Sequence, residues 1–364
     1  MNSLDKKYKI SRFLRIFIVA AIISIFLIGL TTYIVDPFLQ FRVDSDKKYI
    51  LNPRFVNGGL AKNYDYNTAI IGSSMIQSFD VSTLRNTYDG MEPVKLSSGG
   101  MNLAEMQLLY SIVCEKGTKN IILNIDMPFF NQAGVTSRYP EYLYEDGIIN
   151  KLQYLFGYEA VIQYIPADLG VFLYFKWKKD NVSPVYIAKT SIDQIGTENY
   201  SRTYDAGFVK NAYLTNNTVL YQHTEGIEER MKNSLESFVQ KLEIDKHKDI
   251  SYTFMFPSYS ALYWYHTRRN NYYKQFLDFV YNFTKAVDGY ENVRIVSFLD
   301  RHEIMDLNYY GDITHFGPVL ADSIMKNLFN PKYEVNSSNI ESRIHNVDSL
   351  IDSYVEKNKD WLPK

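Results

Sequence analysis

The sequence predicts an α/β fold: a three-layer α/β/α sandwich of about five mostly parallel strands, preceded by one N-terminal transmembrane helix. Three observations predict it. An uncharged apolar run fills residues 16–35 behind a basic leader. From Thr68, short apolar runs alternate with longer segments of helical period. The same alternation returns between residues 228 and 329, after a stretch that breaks it. Strands that alternate with helices form parallel sheets covered on both faces.

The first element is the apolar run. Lys6, Lys7, Lys9, Arg12 and Arg15 precede "IFIVAAIISIFLIGLTTYIV". Its twenty residues at about 1.5 Å each match a hydrocarbon core of about 30 Å. The basic flank predicts a cytoplasmic tail over 1–15 and an extracytoplasmic remainder. A cleaved signal peptide is the competing reading. The run is long for one, and "TTYIVDPF" lacks a small-x-small cleavage site. "DPFLQFR" marks the exit, and residues 36–67 read as a polar connector containing Gly58 and Gly59.

The α/β rhythm occupies 68–332. "TAIIG" (68–72), "PVKLSS" (93–98), "NIILNID" (120–126), "ISYTFMFP" (250–257) and "NVRIVSFLD" (292–300) read as buried strands. "NLAEMQLLYSIVCEKG" (102–117) reads as a helix with Asn102 as N-cap and Gly117 as C-cap. Further helices are expected over 228–242 and 272–287, and over 317–329, where Pro318 suits the first turn. Residues 128–227, rich in Tyr, Asn and Gly, read as an insertion over the mouth of the sheet. Residues 333–364 read as a solvated helical tail.

Composition narrows the function classes. With 364 residues, 46% hydrophobic and 22% charged, the chain is long and apolar enough for a large core. A net charge of -2 supplies no basic field, so no nucleic-acid partner is expected. The 31 Tyr suit carbohydrate faces and membrane interfaces, although codon bias toward Tyr, Asn, Lys and Ile is the plainer source. The single cysteine, Cys114, forbids an intrachain disulfide and falls in a helical core pattern. The six histidines lack metal-ligand spacing, so neither a metal nor another cofactor is expected.

Two motifs carry chemistry. "IIGSSMIQSFD" puts Gly72, Ser73 and Ser74 at a strand's C-terminal end, where a serine hydroxyl meets the N-terminus of the next helix. Gly72 would give the turn room, and a plain N-cap is the competing role for the serines. "YYGDITHFGP" holds Asp312 and His315 three apart, a spacing that lets the carboxylate orient the imidazole. Both motifs fall at matched ends of the α/β pattern. A serine beside a carboxylate-held histidine is an activated nucleophile. Weaker candidates line the expected mouth. Asp126 would line the site or cap a loop. Tyr259, Tyr263, Trp264, Tyr265 and His266 would stack on sugars or pack together. His302 is an alternative base, and Arg268 and Arg269 would meet an anionic polymer or form surface pairs.

At these residues the chain resembles the SGNH/GDSL hydrolase superfamily, and within it the membrane-anchored, DltD-like members. The resemblance spans roughly residues 30–330 and rests on "DPFLQF", "IIGSSMIQSFD", "LSSGGMN", "FMFPSYSALYW" and "NYYGDITHFG". It implies Ser74 as nucleophile, with Ser73 where most members carry Asp. It implies His315 as base and Asp312 as its orienting acid. The second-block glycine matches Gly99, with Gly100 one step away, and its N–H would join that of Ser74 in an oxyanion hole. The third block departs: in "LNIDMPFF", Asp126 falls near the glycine position and Pro128 near the asparagine, so the hole has one donor fewer. Asn124 points along its strand. Ser73, Asp126, Tyr259 and Trp264 are expected to contact substrate. The resemblance implies serine O-acyl transfer, or ester hydrolysis, on a cell-surface glycan or teichoic-acid-like polymer. A polytopic membrane O-acyltransferase is the implied partner. A non-catalytic accessory role is the remaining alternative.

Overall fold

The computed structural model describes residues 3–43, 52–132, 135–178, 203–215 and 224–363. The chain divides into two compact units, 1–63 with 140–189 and 64–139 with 190–364. The expected connector and insertion are therefore drawn differently. Of the described residues, 140–178 fold with the N-terminal segment, and 128–132, 135–139, 203–215 and 224–227 fold with the sheet.

The larger unit holds five strands: β1 (Thr68–Gly72), β2 (Pro93–Ser97), β3 (Asn120–Asn124), β4 (Ser251–Phe256) and β5 (Val293–Ser297). Their order is β2-β1-β3-β4-β5 and every pairing is parallel. β1, β2 and β4 are buried almost end to end, which is why they read as short, mostly apolar runs, with Lys95 the buried exception in β2. The order of strand addition reverses between β1 and β3, so right-handed crossovers put helices on both faces. Helices Leu103–Glu115, Ile227–Leu242 and Tyr273–Val287 pack side by side. Helices Ser82–Thr87 and Pro318–Lys326 pack on each other, joined by Thr83 Oγ1 to Asp322 Oδ1 at 3.0 Å. Phe130, Phe238, Phe254, Phe279 and Phe283 interlock beneath the first layer.

Several local expectations are met in detail. Asn102 and Glu105 form a reciprocal capping box, at 2.9 and 3.0 Å. Gly117 ends that helix at φ +76, and Pro318 opens its own. The tail helix Ile340–Asn358 buries Val347, Ile351 and Tyr354 and packs on helices Ala261–Arg269 and Tyr273–Val287. Arg268 is committed to that tail, at 3.1 Å from Asp348 and 2.6 Å from Asp352. Of its two readings the surface pair holds, and the guanidinium is not offered to a polymer.

The smaller unit begins with helix Ser3–Val35, whose portion Tyr8–Val35 contains an 18-residue stretch of mean hydropathy 2.7 and is long and apolar enough to cross a membrane. It stops at Asp36, a buried non-glycine residue at φ +46. The Asp36 carboxylate accepts from the backbone N–H of Gln40 and Phe41 at 2.9 Å, of Arg42 at 3.1 Å, and from the Tyr154 hydroxyl at 2.7 Å. That cage closes the "DPFLQFR" turn and packs Phe38 against Phe55, Tyr154 and Tyr164. The polar connector is in part a helix, Pro53–Asn63, buried from Val56 to Ala61. Its glycines serve close approach rather than a loop: a Cβ on Gly59 would strike the carbonyl oxygens of Phe38 and Leu39. Replacing Asp36 with alanine orphans four donors, and a loss of about 2–4 kcal/mol is expected from the unmade bonds. Asp36→Asn, which keeps one acceptor oxygen, should lose less. Thermal unfolding in detergent checks this, and an unchanged Tm in Asp36→Ala would refute the cage.

Candidate active site

Strand register brings the chemistry to one edge. Gly72 lies beside Ser97, Asn124 beside Met255, and Phe256 beside Ser297. The segments that follow these residues therefore leave the sheet together at its C-terminal edge. β1 and β3 flank the reversal of strand order, the place where open α/β sheets form their crevice.

Ser73 is extended and enclosed, and its Oγ accepts from Met75 N at 3.2 Å. Ser74 opens the helix expected after the strand, and that helix is one 3₁₀ turn, Ser74–Ile76. A single turn offers much less dipole than a full helix. Buried Lys95 extends its ammonium to the carbonyls of Gln77, at 2.8 Å, and Phe79, which holds residues 77–79 in a loop. Gly72 is required for a different reason from the tight turn expected of it. Its φ is not positive, but a Cβ there would sit 2.6 Å from the Asn124 Cβ. Asn124 is itself fully buried, a neighbour beneath the turn.

The His315 loop follows β5. Gly311 N donates to His315 O at 2.9 Å and Gly317 N to Tyr309 O at 2.7 Å, closing a small hairpin with a bridge between Tyr310 and Phe316. Asp312 Oδ1 accepts from the backbone N–H of Thr314 at 2.8 Å and of His315 at 2.7 Å. The same carboxylate meets His315 Nδ1, at 2.8 Å from Oδ2 and 3.0 Å from Oδ1. His315 Nε2 lies 2.8 Å from Ser74 Oγ. With Nδ1–H donating to Asp312, Nε2 is left to accept the Ser74 proton. Ser74, Asp312 and His315 are all partly exposed, so a reactant can reach them. His302 sits exposed on its own short turn after β5.

Ser98 to Met101 forms a turn closed by Met101 N to Ser98 O at 3.2 Å, with Gly100 at φ +65. Gly99 and Ser74 each follow by two residues the paired Ser97 and Gly72, so both segments leave the sheet at the same edge. Arg138, which motif spacing does not single out, donates to the Gly100 carbonyl. It also pairs with the buried Glu105 at 2.8 Å, tying the turn to the helix cap.

The proposed substrate contacts are corrected by burial. Ser73, Asp126, Tyr259 and Trp264 are enclosed, as is Tyr263, so none presents a face to an incoming sugar. Trp264 stacks edge-on to Tyr259, with centroids 5.9 Å apart. Asp126 does not cap its helix; it accepts from Ser73 Oγ at 2.6 Å and from the Tyr259 hydroxyl. Burial pushes the Asp126 carboxyl above its ordinary 3.8, opposed by those two hydrogen bonds and by His315. Burial, and then the neighbouring Asp126, keep the Tyr259 phenol neutral and donating. The chain Tyr259–Asp126–Ser73–Met75 N thus runs under the nucleophile's turn. Among the described residues no group of three or more His, Cys, Asp or Glu is placed to hold a metal ion.

Comparison with protein-family models, curated proteins and solved structures finds no match to this chain.

Proposed function

We propose that the chain is a membrane-anchored serine O-acyltransferase whose larger unit works outside the cytoplasm on a hydroxyl-bearing cell-surface polymer. The observation that carries this reading is the contact of Ser74 Oγ with His315 Nε2 at 2.8 Å, backed by Asp312 on Nδ1. The helix Tyr8–Val35 and its basic N-terminal flank support the anchor and its orientation.

In the first half-reaction Ser74 Oγ attacks the carbonyl carbon of an acyl donor while His315 Nε2 takes its proton. The N–H groups of Ser74 and of the Gly99–Gly100 turn receive the oxyanion. The bond to the leaving group breaks, His315 returns the proton to that group, and an acyl ester remains on Ser74. In the second half-reaction an acceptor hydroxyl gives its proton to Nε2 and attacks the ester. Ser74 Oγ departs and regains the proton. If water replaces the acceptor, the same residues perform hydrolysis. A polytopic membrane acyltransferase delivering the acyl group would pair with the anchor, and a glycan or teichoic-acid-like polymer would receive it.

Incubating the purified chain with a labelled acetyl ester, with and without a hydroxyl-rich glycan, tests the reading. Acetyl ester appearing on the glycan is the expected outcome. Free acetate alone in both reactions would make the protein an esterase. No acetylated Ser74 by mass spectrometry and no product would leave an accessory binding role.

A further inference from the structure

The smaller unit carries a second apolar surface that the spanning helix does not use. In helix Ile148–Phe156, Ile148, Ile149, Leu152 and Phe156 share one face and are all exposed, the two isoleucines at 76% each. The chain then continues through Tyr158 and Ile162, also exposed, into helix Ile165–Lys178. There Leu169, Leu173 and Trp177 recur every four residues and face outward, Trp177 at 88%. Exposed apolar side chains gathered along one segment in this way mark a contact surface.

Its depth is fixed by the spanning helix. The Phe156 ring abuts Gly29, where a Cβ would meet its Cζ at 2.9 Å. Thr32 Oγ1 donates to the Leu155 carbonyl at 2.8 Å. One turn further on, Tyr154 donates to Asp36. Gly29 and Thr32 belong to the apolar segment Tyr8–Val35, and Gly29 precedes its end by about 9 Å at 1.5 Å per residue. Helix Ile148–Phe156 is therefore pinned beside the last turns of a membrane span, at the boundary between acyl chains and headgroups. Tyr158 and Trp177, each a ring with a polar tip, suit that boundary.

We propose that residues 148–177 form a second membrane contact, with the outer-leaflet lipid surface as the occupant of the apolar strip. The proposal rests on the reading of the N-terminal helix as a membrane span. Continuity selects lipid: the strip begins on side chains that touch the span itself, and an amphipathic helix held there lays its apolar face into the leaflet. The unit is then seated on the membrane by two elements, which restricts the swivel that one helix would allow.

The test uses the full chain in phosphatidylcholine–phosphatidylglycerol vesicles. Cys114→Ser supplies the background, and Ile149→Cys, Leu152→Cys, Ile22→Cys and Ser342→Cys each receive a bimane label. Circular dichroism confirms that each variant is folded. Labels at 149 and 152 should be quenched by shallow-doxyl lipids several-fold more than the label at 342, and be shielded from iodide. The label at 22 should respond best to deep-doxyl lipids. Quenching of 149 and 152 by iodide but not by lipid overturns the proposal while the response at 22 leaves the span standing. Shielding from both quenchers overturns it in favour of a second copy covering the strip. No lipid quenching at 22 removes the span, and the proposal with it.

Discussion

Ser74→Ala is expected to lose all labelling by a fluorophosphonate probe and to lower acyl-ester turnover by about 10⁴-fold, roughly 5.5 kcal/mol of transition-state stabilisation. The hydroxyl it removes is the one within 2.8 Å of His315 Nε2. Ser74 is partly exposed and opens a one-turn helix, so the substitution should shift stability by under about 0.5 kcal/mol. Loss of activity without loss of fold is the signature to look for. His315→Ala should behave alike, since a serine without its base is a weak nucleophile. Asp312→Asn should also be severely impaired. An amide accepts less well from Nδ1–H and favours the wrong tautomer, and the carboxylate additionally holds the backbone of Thr314 and His315. Ser73→Ala separates the two serines: its Oγ is enclosed and faces Asp126, so the probe should still label that variant. Equal labelling of wild type and Ser74→Ala would sink the serine mechanism.

How far these residues were legible in advance depends on the physics that places them. β1, β2, β3, β4 and β5 were legible because strands of a covered parallel sheet are short and mostly apolar, and each ends near a turn signal. The capping box at Asn102 and the opening at Pro318 follow from backbone chemistry local to a few residues. Ser74, Asp312 and His315 were legible as types at strand ends. Their convergence depends on register, which sequence spacing implies and only pairing fixes. What stayed hidden is long-range. Pro53–Asn63 looks like a connector because Gly58 and Gly59 weaken a helix, and only the carbonyls of Phe38 and Leu39 against them show why glycine is needed. Lys95 in "PVKLS" gives no sign that its ammonium is consumed by Gln77 and Phe79. Residues 140–178 fold with the chain's beginning because Tyr154 and Leu155 reach Asp36 and Thr32, more than a hundred residues back.

The second large effect is expected at Asp126. Its aromatic and serine neighbours look, in sequence, like a substrate cradle; enclosed as they are, they act as support. Asp126→Ala leaves the hydroxyls of Ser73 and Tyr259 buried without their acceptor, a cost of about 2–4 kcal/mol. The released Ser73 Oγ also loosens its hold on Met75 N, directly after the nucleophile, so turnover should fall by roughly 10–100-fold through misplacement of Ser74. Asp126→Asn keeps the shape and one acceptor and should recover much of both losses. The pair also reports on ionisation. Burial raises the folded-state pKa of Asp126 above 3.8, so as pH climbs past 3.8 the unfolded chain gives up this proton while the folded chain retains it. Stability from the protonated carboxyl is therefore complete below 3.8 and is lost as pH rises through the folded value. Asp126→Asn cannot titrate, so the Tm of wild type minus that of Asp126→Asn should be largest in acid and decline as pH rises. A difference independent of pH would mean that Asp126 ionises equally in both states, and the buried chain from Tyr259 to Met75 would then hold an ordinary carboxylate.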